Sequence, residues 1–162
     1  MNTPLIHTLR IDSPVGPLQL AASDVGLHAI EFEHARHPLR RDAGWVQAPH
    51  PLLSEAARQL DAYFACERRE FSLPLAAQGT DFQHSVWRAL AEIPYAATCS
   101  YTQIAIRLGR PTATRAVGAA NGRNPLPIVV PCHRVIGADG ALTGFGGGLP
   151  LKAWLLTHEQ SR

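Results

Sequence analysis

Residues 128–136, Ile-Val-Val-Pro-Cys-His-Arg-Val-Ile, limit the local fold more than any other stretch of this chain. Two β-branched runs flank a Pro-Cys-His-Arg core, and such runs favour buried, extended backbone. Pro131 restricts its own φ and disfavours helix at Val130. The pattern predicts Cys132 at the interruption of an extended segment, beside an imidazole and a guanidinium. Both neighbours, His133 and Arg134, favour thiolate over thiol, and thiolate is the nucleophile. A small buried hydrophobe is the plainer role for a cysteine. The nonapeptide alone leaves the two readings level.

Charge is unevenly spread. Residues 1–79 hold 7 Lys and Arg against 9 Asp and Glu, a balance of −2, whereas residues 80–162 hold 8 against 4, a balance of +4. No acid lies between Glu92 and Asp139, an interval that carries Arg107, Arg110, Arg115, Arg123 and Arg134. Spaced arginines without acids suit a polyanion such as nucleic acid, and equally a solvated basic face. Cys66, Cys99 and Cys132 are odd in number and lack metal-ligand spacing, which predicts a reducing, cytoplasmic setting rather than a disulfide scaffold. His34 and His37 lack a Cys or acidic partner at zinc spacing and read as solvated. No apolar run reaches membrane-spanning length, so no membrane association is expected. Residues 1–7 show no basic region followed by an apolar core, so no signal peptide is expected.

Taken in order, residues 6–11, 18–22 and 27–32 read as an antiparallel meander broken by turns at 13–16 and 24–26. Residues 34–51 read as a loop. Leu52, Leu53, Ala56, Leu60 and Phe64 share one face of a helix over 52–64. Residues 71–75 suggest a short strand, limited by Pro74. Residues 76–79 mark a boundary between domains at 1–75 and 80–162. Thr80 or Asp81 can cap a helix with Phe82, Val86, Leu90 and Ile93 on one face, ended by Pro94. Ser100-x-x-Gln103 has capping-box form and opens a helix to about Leu108. After Gly109-Arg110-Pro111 a further helix is predicted over 112–120, with Pro111 suited to its first position. The pair makes a helix-turn-helix candidate, or simply a packed helical hairpin. Asn124 is placed to hold a turn through its side chain. A glycine-rich loop at 144–148 lacks the ending and spacing of a phosphate loop. A helix over 149–160, with Leu151, Trp154, Leu155 and His158 near one face, closes the chain.

Pro131-Cys132-His133-Arg134-Val135 resembles the acceptor motif of the O6-alkylguanine-DNA alkyltransferases. Arg115-Ala116-Val117-Gly118, Asn124-Pro125, Gly146-Gly147-Gly148-Leu149 and Lys152-x-Trp154-Leu155-Leu156-x-His158-Glu159 follow in the family's order and spacing, and Ser100-Tyr101 fits as well. The likeness is strong over about 80–160. It extends weakly to Ser13-Pro14-Val15-Gly16-Pro17-Leu18 and Gly26-Leu27.

The resemblance implies an α/β (α+β) chain: an N-terminal domain of antiparallel sheet plus helix, and a C-terminal winged helix-turn-helix alkyltransferase domain. It implies repair of O6-alkylguanine and O4-methylthymine in duplex DNA by a monomer without a cofactor. The alkyl group passes to Cys132, once per protein molecule, after the nucleotide is flipped out. His133 and Glu159 would take the thiol proton through a bridging water. Asn124 would order the turn that presents the thiol. Tyr101 would support the flipped nucleotide and help neutralise the leaving guanine. Arg115 would fill the gap in the duplex, with Thr114, Ala116, Arg110 and Arg123 also on the DNA side. The Val135 carbonyl and the backbone at Phe145 and Gly146 would contact the base.

Phe145 stands where some members have tyrosine, so no contact through a hydroxyl is implied. Some members bind zinc in the N-terminal domain; matching cysteines are missing here, and no metal is expected. An alkyltransferase-like branch has tryptophan in place of the cysteine and binds without transfer, so Cys132 points to the active branch. Two other functions remain to be weighed. One is a lesion sensor that binds without transferring. The other is a cysteine hydrolase, which adjacent Cys and His residues serve badly for want of mutual geometry.

Overall fold

Short apolar runs separated by turn-forming residues build the first part of the chain. β1 (Ile6–Ile11), β2 (Leu18–Ser23) and β3 (Gly26–Phe32) form an antiparallel meander. The structure is a computed structural model that describes residues 5–38 and 45–161. It divides into units 1–78 and 79–162. Part of the loop expected over 34–51, residues 39–44, lies outside the described residues. The end of that stretch is not loop: β4 (Trp45–Gln47) adds to the sheet parallel to β1, giving the order β3-β2-β1-β4. A three-residue edge strand is too short to show a period of two in sequence.

Helix α1 (Pro51–Phe64) packs on this sheet. His50 caps it: the Leu52 N–H donates to His50 Nδ1 at 3.0 Å. Its buried face is Leu53, Ala56, Gln59, Leu60 and Tyr63. Leu52 and Phe64, expected on that face, are only half-buried. The core between helix and sheet includes Leu18, Leu20, Leu27, Ile30, Leu53 and Leu60, all essentially inaccessible. The strand expected over 71–75 is absent; a single parallel bridge joins Leu75 to Leu27. The reason is a side chain. The buried Gln59 amide donates to the Ser72 carbonyl at 3.0 Å and accepts from the Ser72 N–H at 2.9 Å. Both backbone groups of Ser72 are thus satisfied without a ladder.

The second unit is mainly helical. Helix α2 (Asp81–Ala91) starts at a capping box between Thr80 and Gln83. β5 (Cys99–Ser100) leads into α3 (Tyr101–Arg107), which starts at a second capping box, Ser100 with Gln103. Helix α4 (Thr114–Gly122) begins two residues later than expected, because Pro111 and Thr112 lie in a turn closed by the Ala113 N–H on the Arg110 carbonyl at 2.9 Å. Proline suits the second position of such a turn as well as a helix start. α3 and α4 pack on each other, and α2 packs on α4, with the Trp87 indole N–H on the Ala120 carbonyl at 2.9 Å. β6 (Val135–Ile136) pairs parallel with β5, and α5 (Leu149–Gln160) ends the chain. The mixed α/β class with an N-terminal sheet and a helical C-terminal part is the class expected; the sheet departs from it in having one parallel edge strand.

Candidate active site

The stretch before the cysteine is not a strand. Residues 126–130 coil into a turn in which the Val130 N–H donates to the Leu126 carbonyl at 2.8 Å. Asn124 makes this possible. Its Nδ2 donates to the Val130 carbonyl at 2.8 Å, and its Oδ1 accepts from the Leu126 N–H at 3.0 Å. One amide side chain therefore does the work of a strand partner. Ile128 is held at φ 74°, a left-handed conformation that is uncommon for a β-branched residue. Pro131, at φ −80° and ψ 66°, sits in an inverse γ-turn closed by the Cys132 N–H on the Val130 carbonyl at 2.8 Å. Cys132, His133 and Arg134 then form one turn of 3₁₀ helix, and all three are buried.

Cys132 is 4% exposed. Burial pushes its thiol up to about 11, although the Asn124 side chain, the Lys152 charge and the backbone N–H groups of Cys132 and His133 all pull it down. The expectation that His133 and Arg134 would favour thiolate fails for a geometric reason: both side chains are turned to Glu159. Glu159, itself fully buried on α5, accepts from His133 Nε2 at 2.7 Å and from Arg134 Nε at 2.8 Å and Nη2 at 3.0 Å. A carboxylate only accepts, so Nε2 carries a proton, and in the neutral ring the lone pair is then on Nδ1. Nδ1 is buried and has no protein partner. Burial, foremost, holds the His133 pKa below its ordinary value, against the hydrogen bond and charge of Glu159. Both shifts favour the uncharged forms, a thiol and a neutral imidazole.

Lys152, the first residue of the Lys152-x-Trp154 motif and without an expected role, is the cation that bears on the thiol. It is fully buried; its Nζ donates to the Val135 carbonyl, to the Thr143 carbonyl at 2.7 Å and to Tyr101 Oη at 3.4 Å. Burial lowers its pKa to about 8, against the pull of Cys132. The Tyr101 hydroxyl donates to the Thr143 carbonyl at 2.8 Å, and burial raises its pKa. Lys152, Leu155 and Glu159 form the buried row of α5, so the apolar face expected from Leu151, Trp154 and His158 is only half-buried. A charge at each end of a helical row is a signal readable from spacing. Asn121 was also missed; it is buried and its Nδ2 lies 3.4 Å from the Cys132 carbonyl.

The remaining candidates are spread over two settings. Val135 and Phe145 are buried, and Gly146 is half-buried. The Val135 carbonyl accepts from Lys152, and that of Phe145 accepts from the Gly148 N–H at 2.9 Å. Arg115, Ala116 and Arg123 are exposed along and just after α4, with Thr114 half-buried beside them. Arg110 is exposed and lies over the Phe82 ring at 5.5 Å. Arg107 is exposed, 3.8 Å from Glu92. Arg134 differs from the other arginines of the acid-free interval: it is buried and ion-paired, so it leaves the basic face.

Chemically, the segment holds a buried thiol, a buried imidazole whose Nδ1 has no protein partner, and an Arg134–Glu159 ion pair bonded to that imidazole. Displacement at saturated carbon needs in-line approach and a stabilised leaving group rather than an oxyanion hole. Among the described residues no group of three or more His, Cys, Asp or Glu side chains is arranged to hold a metal ion. No helix among them is long and apolar enough to cross a membrane.

Matches to known proteins extend over both units. Residues 81–161 match the family described as 6-O-methylguanine DNA methyltransferase, DNA binding domain, and residues 6–77 match its ribonuclease-like domain. A methylated-DNA–protein-cysteine methyltransferase of Methanosarcina barkeri is 49% identical over 93% of this chain and 95% of its own length. One of Mycobacterium tuberculosis is 51% identical over 98% of this chain and 94% of its own. The crystal structure of Mycobacterium tuberculosis OGT in complex with DNA superimposes with a TM-score of 0.89 at 49% identity, covering 96% of this chain and 93% of that one.

Proposed function

The chain belongs to the 6-O-methylguanine DNA methyltransferase family, and from that premise we propose that Cys132 is the residue that takes the alkyl group. The activity is DNA repair by transfer of an alkyl group from DNA to a protein cysteine. The substrates are O6-alkylguanine and, as a second lesion, O4-methylthymine, each turned out of the duplex to reach a thiol that is 4% exposed. Sulfur attacks the saturated carbon as the carbon–oxygen bond breaks. The bonding pair leaves with the base oxygen, and the base takes up a proton.

The observation that carries this reading is the buried His133 ring, held through Nε2 by Glu159 with its Nδ1 left without a protein partner. With Nε2–H held by Glu159, the buried Nδ1 is free to accept the thiol proton through a bridging water. The imidazolium that forms then rests against the carboxylate. Asn124 orders the turn that presents Cys132. Tyr101, its hydroxyl already on the Thr143 carbonyl, supports the extruded nucleotide and helps neutralise the leaving base. The base lies along Val135, Phe145 and Gly146. Arg115 fills the gap in the stack, while Arg110, Thr114, Ala116 and Arg123 face the backbone. The step balances without a cofactor, and the acting species is a monomer. Three free cysteines support a reducing, cytoplasmic setting.

The product is a thioether, which water does not cleave, so each molecule acts once. Mass spectrometry after incubation with excess methylated duplex tests this. One methyl per chain is expected, on the peptide that holds Cys132. Binding without any mass gain would identify a lesion sensor instead; a methyl on Cys66 or Cys99 would move the site.

Glu159→Gln tests the relay. The amide retains shape but stabilises imidazolium poorly, so transfer at neutral pH should fall on the order of 10²-fold. The rate profile should also shift to higher pH, as ionisation of the thiol comes to depend on hydroxide. An unshifted profile in a folded variant would reduce Glu159 to a structural role.

A further inference from the structure

We infer that Arg134 is a positioning residue for the transfer reaction: by ion-pairing the buried Glu159 it leaves His133 neutral and able to take the thiol proton. The inference rests on the roles of Cys132 and His133 proposed above and adds a requirement that they do not contain.

The argument is one of charge balance in a closed space. Glu159 is fully buried, and its two oxygens accept from His133, from Arg134 twice, and from the Ala96 N–H at 3.2 Å. A buried carboxylate needs a compensating cation. Among the described residues, Arg134 and His133 are bonded to it. A guanidinium is charged at every accessible pH and presents a fork that fits a carboxylate. An imidazole is charged only if it keeps a proton. Arg134 is fastened in place for the first role: its Nη1 donates to the Ile93 carbonyl at 2.7 Å, and its guanidinium lies 5.6 Å from the centre of the Tyr95 ring.

The other groups around His133 point the same way. From α5 it faces Glu159, already matched by Arg134, and the further cation Lys152. From its own segment it adjoins Cys132 and Arg134. The buried face of α2, which packs against this segment, is Val86, Trp87, Ala89 and Leu90 and carries no charge. A second cation on the imidazole would find no second anion. Without Arg134 the balance reverses. Glu159 would then lose its guanidinium partner, and the group already bonded to it that can take up a proton is His133. An imidazolium cannot accept the proton of Cys132, so the relay would be filled before the reaction begins.

The test combines nitrogen NMR of the His133 imidazole with single-turnover transfer to Cys132 across pH. In the wild type, His133 should be neutral at pH near 7, protonated on Nε2. In R134Q it should be an imidazolium there. Transfer by R134Q should be depressed at least tenfold at neutral pH and recover about tenfold for each pH unit of the displaced acid limb. R134K retains the charge, so it should keep a neutral His133 and the wild-type profile even if its rate is lower. The wild-type spectrum does not depend on whether R134Q folds. An imidazolium in the wild type overturns the inference. So does a neutral His133 in folded R134Q, or an R134K profile displaced as far as that of R134Q. Failure of the wild type to transfer at all would sink the functional reading instead, and the spectra alone would then decide the role of Arg134.

Discussion

Cys132→Ser should end transfer and leave binding to duplex DNA in place. Deleting a nucleophile removes the bond-forming atom, and comparable deletions cost on the order of 10⁴-fold or more. Serine is a close test here because the site is tightly filled: Cys132 is 4% exposed, and Asn124 and two backbone N–H groups already converge on the sulfur. A hydroxyl is accommodated, but its proton is far harder to remove than that of a thiol. Binding draws on different residues. Arg107, Arg110, Arg115 and Arg123 are exposed, whereas Arg134 is buried against Glu159 and should contribute nothing directly. If these arginines meet phosphates, the logarithm of the binding constant should fall with the logarithm of salt at a slope between about −2 and −4, from about −0.9 for each phosphate neutralised. Fluorescence anisotropy over a salt series measures this on the serine variant without interference from reaction. Residual transfer would show a second acceptor. Salt-insensitive binding would remove the electrostatic account of the basic face.

Arg115→Ala should slow repair of a lesion in duplex DNA far more than reaction with free O6-benzylguanine. Turning a nucleotide out leaves a hole in the stack and an orphaned partner base, at a cost of a few kcal/mol. A side chain that fills the hole must be long, and a guanidinium both stacks and donates. Arg115 is exposed in the first turn of α4, the second helix of the α3–α4 pair, with the small Ala116 exposed beside it and Thr114 half-buried. Small neighbours allow the helix to approach the duplex closely, as an inserted wedge requires. If the finger recovers about 2 kcal/mol of the flipping cost, its loss is worth about thirtyfold on the duplex substrate. The free base needs no flipping, so its rate should change little. A phosphate contact would weaken binding to every DNA alike. Equal losses on both substrates would show that Arg115 supports the fold or the thiol, and the finger role would fall.

Much of the fold was legible because its signals are local. The cap expected at Thr80 or Asp81 and the capping box expected at Ser100 rest on chemistry that acts within one turn, and Thr80 and Ser100 are the caps of the two helices. The meander followed from turn residues between short apolar runs. The misplaced strands share one cause, a side chain or a distant strand that satisfies backbone groups. Gln59 holds Ser72, and Asn124 holds Leu126 and Val130, so two stretches rich in strand formers need no ladder. β4 exists because β1 offered a free edge to it.

The sequence by itself determined which groups the site contains: a cysteine, a histidine and an arginine in a row, with an asparagine before them and a glutamate in the last helix. Tertiary structure alone decided what each does to the others. Adjacency along the chain suggested that His133 and Arg134 would ionise the thiol. Folding turned both toward Glu159, brought Lys152 from α5 to the thiol instead, and buried the sulfur so that its pKa rises to about 11. Electrostatic effects depend on distance and on exclusion of water, and neither is a property of neighbours in sequence.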